Sequence, residues 1–332
     1  MRTEAIRMTR LPGQNKQEYD IVVDSRELEL GPTDILIKTG QASVCDADLR
    51  YATGMPWPED LPPFEWPGHE GGGIVVEVGS KVGKVKPGDR VMLFGLDGCW
   101  ARHFKSPERN VYKAPDGLSD TVAYMGEPVA VGMYGVFASG VQLGDDVAVI
   151  GLNFQGMIAV QGLKAKGARR VIAVDYSKKH LDMAKDLGAD VVINTTEADV
   201  VTAIRDLTSG FGVDVAYHSC GYWNPRAQEY YNIALEVTRD EGILTSVTDI
   251  MSPITANLHR AHHHAIDIRF PAIMHHAPYF RDRWVEKVLR PVVDGTVNIE
   301  RLVTARFPLT EAAKAIELFK QDLDQVKIVL TL

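Results

Sequence analysis

Between residues 134 and 272 the apolar positions fall in short runs, with helical segments between them. The runs are Val147–Gly151, Val171–Asp175, Val191–Asn194, Val213–His218, Ile243–Val247 and Ile266–Phe270. Six strands connected in this way predict an α/β domain built on a doubly wound parallel sheet. Residues 1–133 are patterned differently. Asp34–Thr39, Gly73–Gly79 and Arg90–Phe94 are short strand-like runs bounded by Gly, Pro or Asp, and Pro87-Gly88-Asp89 is a turn signal ahead of the third. This half predicts a β-rich domain. A helix near Phe280–Val293, a strand at Leu302–Phe307, a helix at Leu309–Lys320 and a last strand at Val326–Leu332 are expected to return to it. The expected domains are therefore 1–133 with 273–332, and 134–272.

A chain of 332 residues is long enough for two domains and a large core, and 45% hydrophobic with 24% charged residues is ordinary for a globular protein. Lys+Arg of 36 against Asp+Glu of 44 gives −8, which argues against nucleic acid or an anionic membrane as the main partner. The first residues carry no apolar core of signal-peptide length, and no run approaches the ~18 apolar residues of a membrane span. A cytoplasmic location is the expectation. Cys45, Cys99 and Cys220 are too few and too scattered for a disulfide framework.

The most informative stretch is Val147–Asp175, which has the order strand, glycine turn, helix, strand. A tight turn opening a helix points free N–H groups and the positive end of the helix dipole at an anion such as a pyrophosphate. Gly151 and Gly156 suit that turn, with Asn153 standing where G-x-G-x-x-G has its middle glycine. Gly151, Asn153, Phe154, Gln155, Gly156 and Met157 are the candidate cofactor contacts. Asp175 ends the next strand, roughly 20 residues on, where a ribose 2′-hydroxyl is expected. Its carboxylate would accept a hydrogen bond from that hydroxyl and repel a 2′-phosphate, and Tyr176-Ser177 offers no arginine to reverse this. NAD is expected over NADP.

The first domain holds possible metal ligands in Cys45-Asp46-Ala47-Asp48 and Gly68-His69-Glu70, with a third carboxylate in Glu127-Pro128. His69 and Glu70 lie between a Pro-Gly turn and Gly71-Gly72-Gly73, where the chain is free to bend sharply. Thiolate, imidazole and carboxylate with one open position make a catalytic zinc site, and Asp48 is the candidate acceptor for the free N–H of His69.

Taken in order, Cys45 with an acid three residues on, Gly68-His69-Glu70, Lys86-Pro-Gly-Asp-Arg-Val91, Glu127-Pro128 and then a nucleotide fold resemble the zinc-dependent medium-chain alcohol and polyol dehydrogenases over nearly the whole chain. The resemblance implies a Rossmann domain beside a GroES-like catalytic domain. It implies zinc on Cys45 and His69, with Glu70 or Glu127 as the third protein ligand, and Lys327 near the cofactor pyrophosphate. It also implies a homo-oligomer, dimer or tetramer.

Three departures bear on the chemistry. The family usually carries Ser or Thr two residues after the zinc cysteine to pass a proton, and here that residue is Ala47; Asp46, Asp48, Arg50, Tyr51 or a water are the substitutes. Many members carry a four-cysteine structural zinc lobe after the Gly-Asp-Arg-Val strand. Here Phe94–Phe104 holds Cys99 alone, so a packed thiol and no structural zinc are expected. Finally, His259, His262, His263, His264, His275 and His276 crowd 18 residues. A second metal site, a substrate-facing role and a solvated cluster all stay open for them. Trp57, Phe64, Trp66 and Leu93 are candidates for a substrate wall or for core. Cys220 has no convincing partners for a nucleophile.

These readings lead to an NAD-dependent zinc enzyme acting on a small polar alcohol or ketone, a secondary alcohol of a polyol, sugar or cyclitol. The alternatives are an epimerase or lyase that uses tightly bound NAD transiently, and a non-catalytic NAD-binding module.

Overall fold

The computed structural model describes residues 1–10, 19–48, 65–221, 224–248, 254–272 and 278–332. The chain divides into two compact units, Met1–Pro128 with Val303–Leu332, and Val129–Leu302.

In the first unit, β1 (Arg2–Arg10) and β2 (Tyr19–Glu27) form an antiparallel ribbon. Strands β3 (Asp34–Ser43), β4 (Gly71–Val78), β5 (Arg90–Leu93), β6 (His103–Pro107) and β7 (Val111–Lys113) follow, then helix α1 (Asp120–Tyr124). The Pro87-Gly88-Asp89 turn does what its residues suggest: Gly88 takes φ +90°, and β5 begins two residues later. The strand expected from Gly73 begins two residues earlier, so that Gly71 and Gly72, expected as a bend, already belong to β4. These glycines are small because neighbouring backbone crowds them: a Cβ on Gly73 would lie 1.9 Å from the Lys38 carbonyl oxygen, and one on Gly72 2.4 Å from that of Val91.

The boundary at Pro128 falls inside helix α2 (Gly126–Ala138). The second unit then alternates β8 (Asp146–Ile150), α3 (Phe154–Ala165), β9 (Arg170–Asp175), α4 (Lys178–Asp186), β10 (Val191–Asn194), α5 (Val200–Leu207), β11 (Val213–His218), α6 (Ala227–Val237), β12 (Thr238–Ser246), α7 (Leu258–His263) and β13 (Asp267–Arg269). The six strands pair in parallel in the order β10-β9-β8-β11-β12-β13. All six expected strands are present. The central ones were legible because their residues are covered on both faces: every residue of β8 is buried, and Ala148, Ile172, Val174, Ala216, Tyr230 and Leu235 share one core cluster, whereas the outer strands β10 and β13 are partly exposed. The order reverses between β8 and β11, and a parallel sheet leaves a crevice for a ligand at the carboxyl ends of such a pair.

Helix α8 (Pro278–Val293) belongs to this second unit, whereas the sequence assigned 273–302 to the first. The reason is packing: Trp284 sets its ring against Tyr134 and Phe137 of α2, with centroids 5.4 and 6.2 Å away. The chain returns through β14 (Val303–Pro308), α9 (Ala312–Gln321) and β15 (Lys327–Thr331). Together with the earlier strands they give the order β14-β15-β3-β4-β5-β7, with β6 on β3. Among the described residues no helix is long and apolar enough to cross a membrane.

Candidate metal centre and cofactor turn

Strand β15 runs antiparallel to β3 with Val329 opposite Ser43, and Val44 N–H donates to the Ile328 carbonyl at 3.0 Å. This register carries Lys327 to the end of β3, where Cys45 leads into a single helical turn at 46–48. From the other side comes Gly68, at φ +103°, where any Cβ would lie 2.6 Å from the Trp100 backbone nitrogen. Only glycine fits there. Ser43 N–H then donates to the Glu70 carbonyl at 2.9 Å, pinning the start of β4 to the end of β3.

The result is a cluster in which Cys45 Sγ, one His69 ring nitrogen and one Glu70 carboxylate oxygen all lie within 4.8 Å of one another. His69 and Glu70 are buried and Cys45 is half-buried. Asp48 organises the group. Its Oδ1 accepts from Gly68 N–H at 2.8 Å and lies 3.1 Å from His69 Nδ1, while Oδ2 accepts from Cys45 N–H at 3.3 Å. With Nδ1 facing Asp48, Nε2 is the ring nitrogen of His69 that a metal would take. Glu70 is held on both oxygens by Lys327 Nζ, at 2.8 and 3.0 Å, and accepts a short hydrogen bond from Ser43 Oγ. Lys327 is itself buried.

The electrostatics follow from packing so many charged groups out of water. Burial works against a charged His69, but the carboxylates of Asp48, Glu127 and Glu70 overcome it and raise its pKa well above normal. Burial pushes the Cys45 thiol well above its usual range, Glu70 and Asp46 add to the shift, and Lys327 opposes it. Burial also raises Glu127 to about 7, against the pull of His69. Burial disfavours the Lys327 ammonium too, yet Glu70 beside it lifts its pKa. Without a metal the centre therefore stores protons on its ligand atoms, and a cation would displace them.

Glu127 is buried and close enough to shift His69, but it does not join the group of three, and its carboxylate makes no hydrogen bond among the described residues. Lys327, expected near a pyrophosphate, is paired with Glu70 instead. Of the groups named in place of the hydroxyl missing at Ala47, Asp48 is fully engaged, Asp46 Oδ1 lies 3.3 Å from Cys45 Sγ, and Arg50 and Tyr51 lie outside the described residues. Trp57 and Phe64 do too. Leu93 is core, Trp66 lies under the Arg26 guanidinium at 5.5 Å, and Cys99 is fully buried against Gly68 and Gly71. Cys220 is buried as well, which pushes its thiol up and away from nucleophile chemistry. Ser43 went unnoticed in the sequence, where no motif marks it.

The glycine turn after β8 has its own logic. Gly151 takes φ +91°, and a Cβ on Gly156 would lie 2.2 Å from the Gly151 carbonyl oxygen, so the tight turn admits only glycine at both positions. Asn153 is the N-cap of α3: its Oδ1 accepts from Gly156 N–H at 3.0 Å and from Ser219 Oγ at 2.5 Å. A side chain in the middle-glycine position is thus folded onto the helix end at an ordinary φ of −67°. Phe154 and Met157 bury their side chains, so they offer a ligand only backbone, whereas Gln155 is half-buried. Asp175 is buried at the end of β9, with Oδ2 accepting from Leu152 N–H and Oδ1 from Ser177 N–H, both at 2.9 Å.

Comparison with known proteins agrees with this geometry. A zinc-binding dehydrogenase model matches residues 156–285, and an alcohol dehydrogenase GroES-like domain model matches residues 31–116. The L-threonine 3-dehydrogenase of Caldanaerobacter subterraneus is 32% identical over 248 residues, covering 66% of this chain and 71% of that one. The chain belongs to the zinc-binding medium-chain dehydrogenase family. The sorbitol dehydrogenase of Rattus norvegicus is 28% identical over 327 residues, 89% of this chain and 88% of that one. The solved structure of 2R,3R-butanediol dehydrogenase from Bacillus subtilis superposes with a TM-score of 0.81 at 25% identity, covering 99% of each chain. As a zinc-binding medium-chain dehydrogenase the chain is an oxidoreductase, which sets aside the non-catalytic module. Zinc and a nicotinamide dinucleotide are the family's cofactors.

Proposed function

We propose that this dehydrogenase interconverts a secondary alcohol of a polyol, sugar or cyclitol with its ketone, using NAD and one zinc ion held by Cys45 and His69. The observation that carries the reading is the cluster of Cys45, His69 and Glu70 with Asp48 behind the imidazole. Its soft and borderline donors suit zinc, whereas magnesium or calcium would ask for oxygen ligands throughout. Glu127 is our choice for the third ligand, because its buried carboxylate makes no hydrogen bond among the described residues while Glu70 already has Lys327 and Ser43. Glu70 remains close enough to exchange with it. When bound, zinc supplies a Lewis acid for the substrate oxygen and NAD supplies the hydride acceptor.

The chain's own residues account for the rest. Asp48 fixes the tautomer and direction of His69, and Lys327 holds Glu70 back from the ligand position. In the second unit, Gly151 and Gly156 leave room for a pyrophosphate, the first turn of α3 offers N–H groups, and Asp175 takes the 2′-hydroxyl that NADP lacks. The substrate class is supported by relatives named for sorbitol, threonine and 2R,3R-butanediol, each with a hydroxyl on a secondary carbon. A homo-oligomer and a cytoplasmic location complete the proposal.

The test is NADH formation on a panel of polyols, sugars, cyclitols and simple secondary alcohols, run beside metal analysis and repeated with NADP. Zinc in the protein, with NADH formed from polyhydroxylated secondary alcohols, is the expected result. Equal rates with NADP would remove the role given to Asp175. Conversion of a sugar without accumulating NADH would replace net oxidation by transient redox chemistry.

A further inference from the structure

The histidines of α7 are not used by the chemistry above, and their arrangement is not random. His259 and His263 are one turn apart on the same face of the helix, with ring centroids 4.0 Å apart. His262 sets its ring edge-on to His263 at 5.4 Å. All three are exposed, and none forms a hydrogen bond or ion pair among the described residues. His264 is different, because its Nδ1 lies 2.6 Å from the Asp240 carboxylate.

The helix that carries them is anchored. Asn257 caps it by accepting from Arg260 N–H at 3.2 Å. The Arg260 guanidinium points the other way, donating to the carbonyls of Leu235, Glu236 and Thr238 at 3.2, 3.1 and 2.9 Å. The Glu236 carboxylate, 3.5 Å away, balances its charge. One face of α7 is therefore tied to the end of α6, and the other presents imidazoles with free lone pairs.

We propose that His259 and His263 form a second metal site, separate from the cysteine-containing centre. Two imidazoles at this helical spacing converge on one ion at the usual metal–nitrogen distance of about 2.0–2.1 Å. An all-imidazole donor set selects borderline divalent transition metals, Cu²⁺, Ni²⁺ or Zn²⁺, over Mg²⁺ and Ca²⁺. The exposure of the helix leaves the remaining positions to water. Bound to the folded helix, the ion would also raise thermal stability, with the logarithm of its concentration once the site is saturated.

The experiment uses untagged, zinc-loaded enzyme titrated with Cu²⁺ and followed by electron paramagnetic resonance and equilibrium dialysis. One added Cu²⁺ per chain with nitrogen hyperfine structure is expected. His259→Ala and His263→Ala should each weaken it by about tenfold or more, because a lone imidazole loses the chelate; His264→Ala should leave it unchanged. Dehydrogenase activity and melting temperature without copper verify that each variant is folded. Binding unchanged in the His259→Ala, His263→Ala double variant would overturn the site, as would copper that disappears only with Cys45→Ser. Equal uptake of Mg²⁺ would overturn its selectivity.

Discussion

The metal centre and the glycine turn solve opposite problems. At the first, Cys45, Asp48, His69, Glu70, Glu127 and Lys327 crowd ionisable groups into a largely buried space, where His69 leans on Asp48 and Glu70 on Lys327. At the second, the proposed binding surface is mainly backbone: two glycines, a capped helix end and one buried carboxylate whose oxygens already accept N–H groups. A site for a cation is made from side chains that depend on one another, and a site for an anion from main chain that depends on shape. The first should be fragile toward loss of a partner and sensitive to pH, and the second sensitive to a single added carbon.

The largest expected effect is on the side-chain site. Cys45→Ser and His69→Ala should each lose bound zinc and drop turnover by roughly three orders of magnitude or more. Zinc retained in both would end the metal assignment. Asp48→Ala, which leaves both ligands in place, should weaken zinc by about 10–100-fold, measured by competition with a chromophoric chelator. Lys327→Met should destabilise the fold by about 3–5 kcal/mol in denaturant titration, because it strands the Glu70 carboxylate; a loss under 1 kcal/mol would show that Ser43 and solvent suffice.

The pH dependence has a defined sign. Glu127 is raised to about 7 from an ordinary value near 4.5, and His69 is raised as well, so the metal-free folded protein binds more protons than the unfolded chain. Stability of the metal-free protein should therefore fall as pH rises between about 4.5 and 7, by up to roughly 3 kcal/mol from Glu127. His69 adds a loss in the same direction as pH rises through its own raised pKa. Zinc should flatten the slope. Denaturant midpoints across that window, with and without chelator, measure it, and a metal-free protein that gains stability toward pH 7 would contradict the charge balance drawn here.

The smallest effect falls on the backbone site. Asp175→Ala should raise the KM for NAD by about tenfold, the worth of a charge-assisted hydrogen bond, and narrow the gap to NADP. A change in KM for NADP alone would assign Asp175 to repulsion without ribose binding.

The same contrast explains what could be read from the chain. The parallel sheet was legible because burial on both faces demands uninterrupted apolar runs, and the glycine turn because only glycine meets its steric demand. Cys45, His69 and Glu127 were legible as candidates from their residue types and turn context, and Glu70 only through the family resemblance. The pairing of Glu70 with Lys327 was not, since 257 residues separate them and no local pattern reports a long-range ion pair. Ser219 under Asn153 was hidden for the same reason, 66 positions away. Helix α8 was assigned to the wrong unit because an amphipathic pattern shows that a helix has an apolar face but not which neighbour covers it.

Lys327 also sets an order of events during synthesis. Cys45, His69 and Glu70 leave the ribosome early, but the cation that neutralises Glu70 arrives with β15, 257 residues later. Until then Glu70 has an unpaired charge and β3 an open edge beside the ligand cysteine. A nascent chain is therefore exposed to capture of the wrong ion at a half-built centre, and the arrival of β15 closes that period of vulnerability.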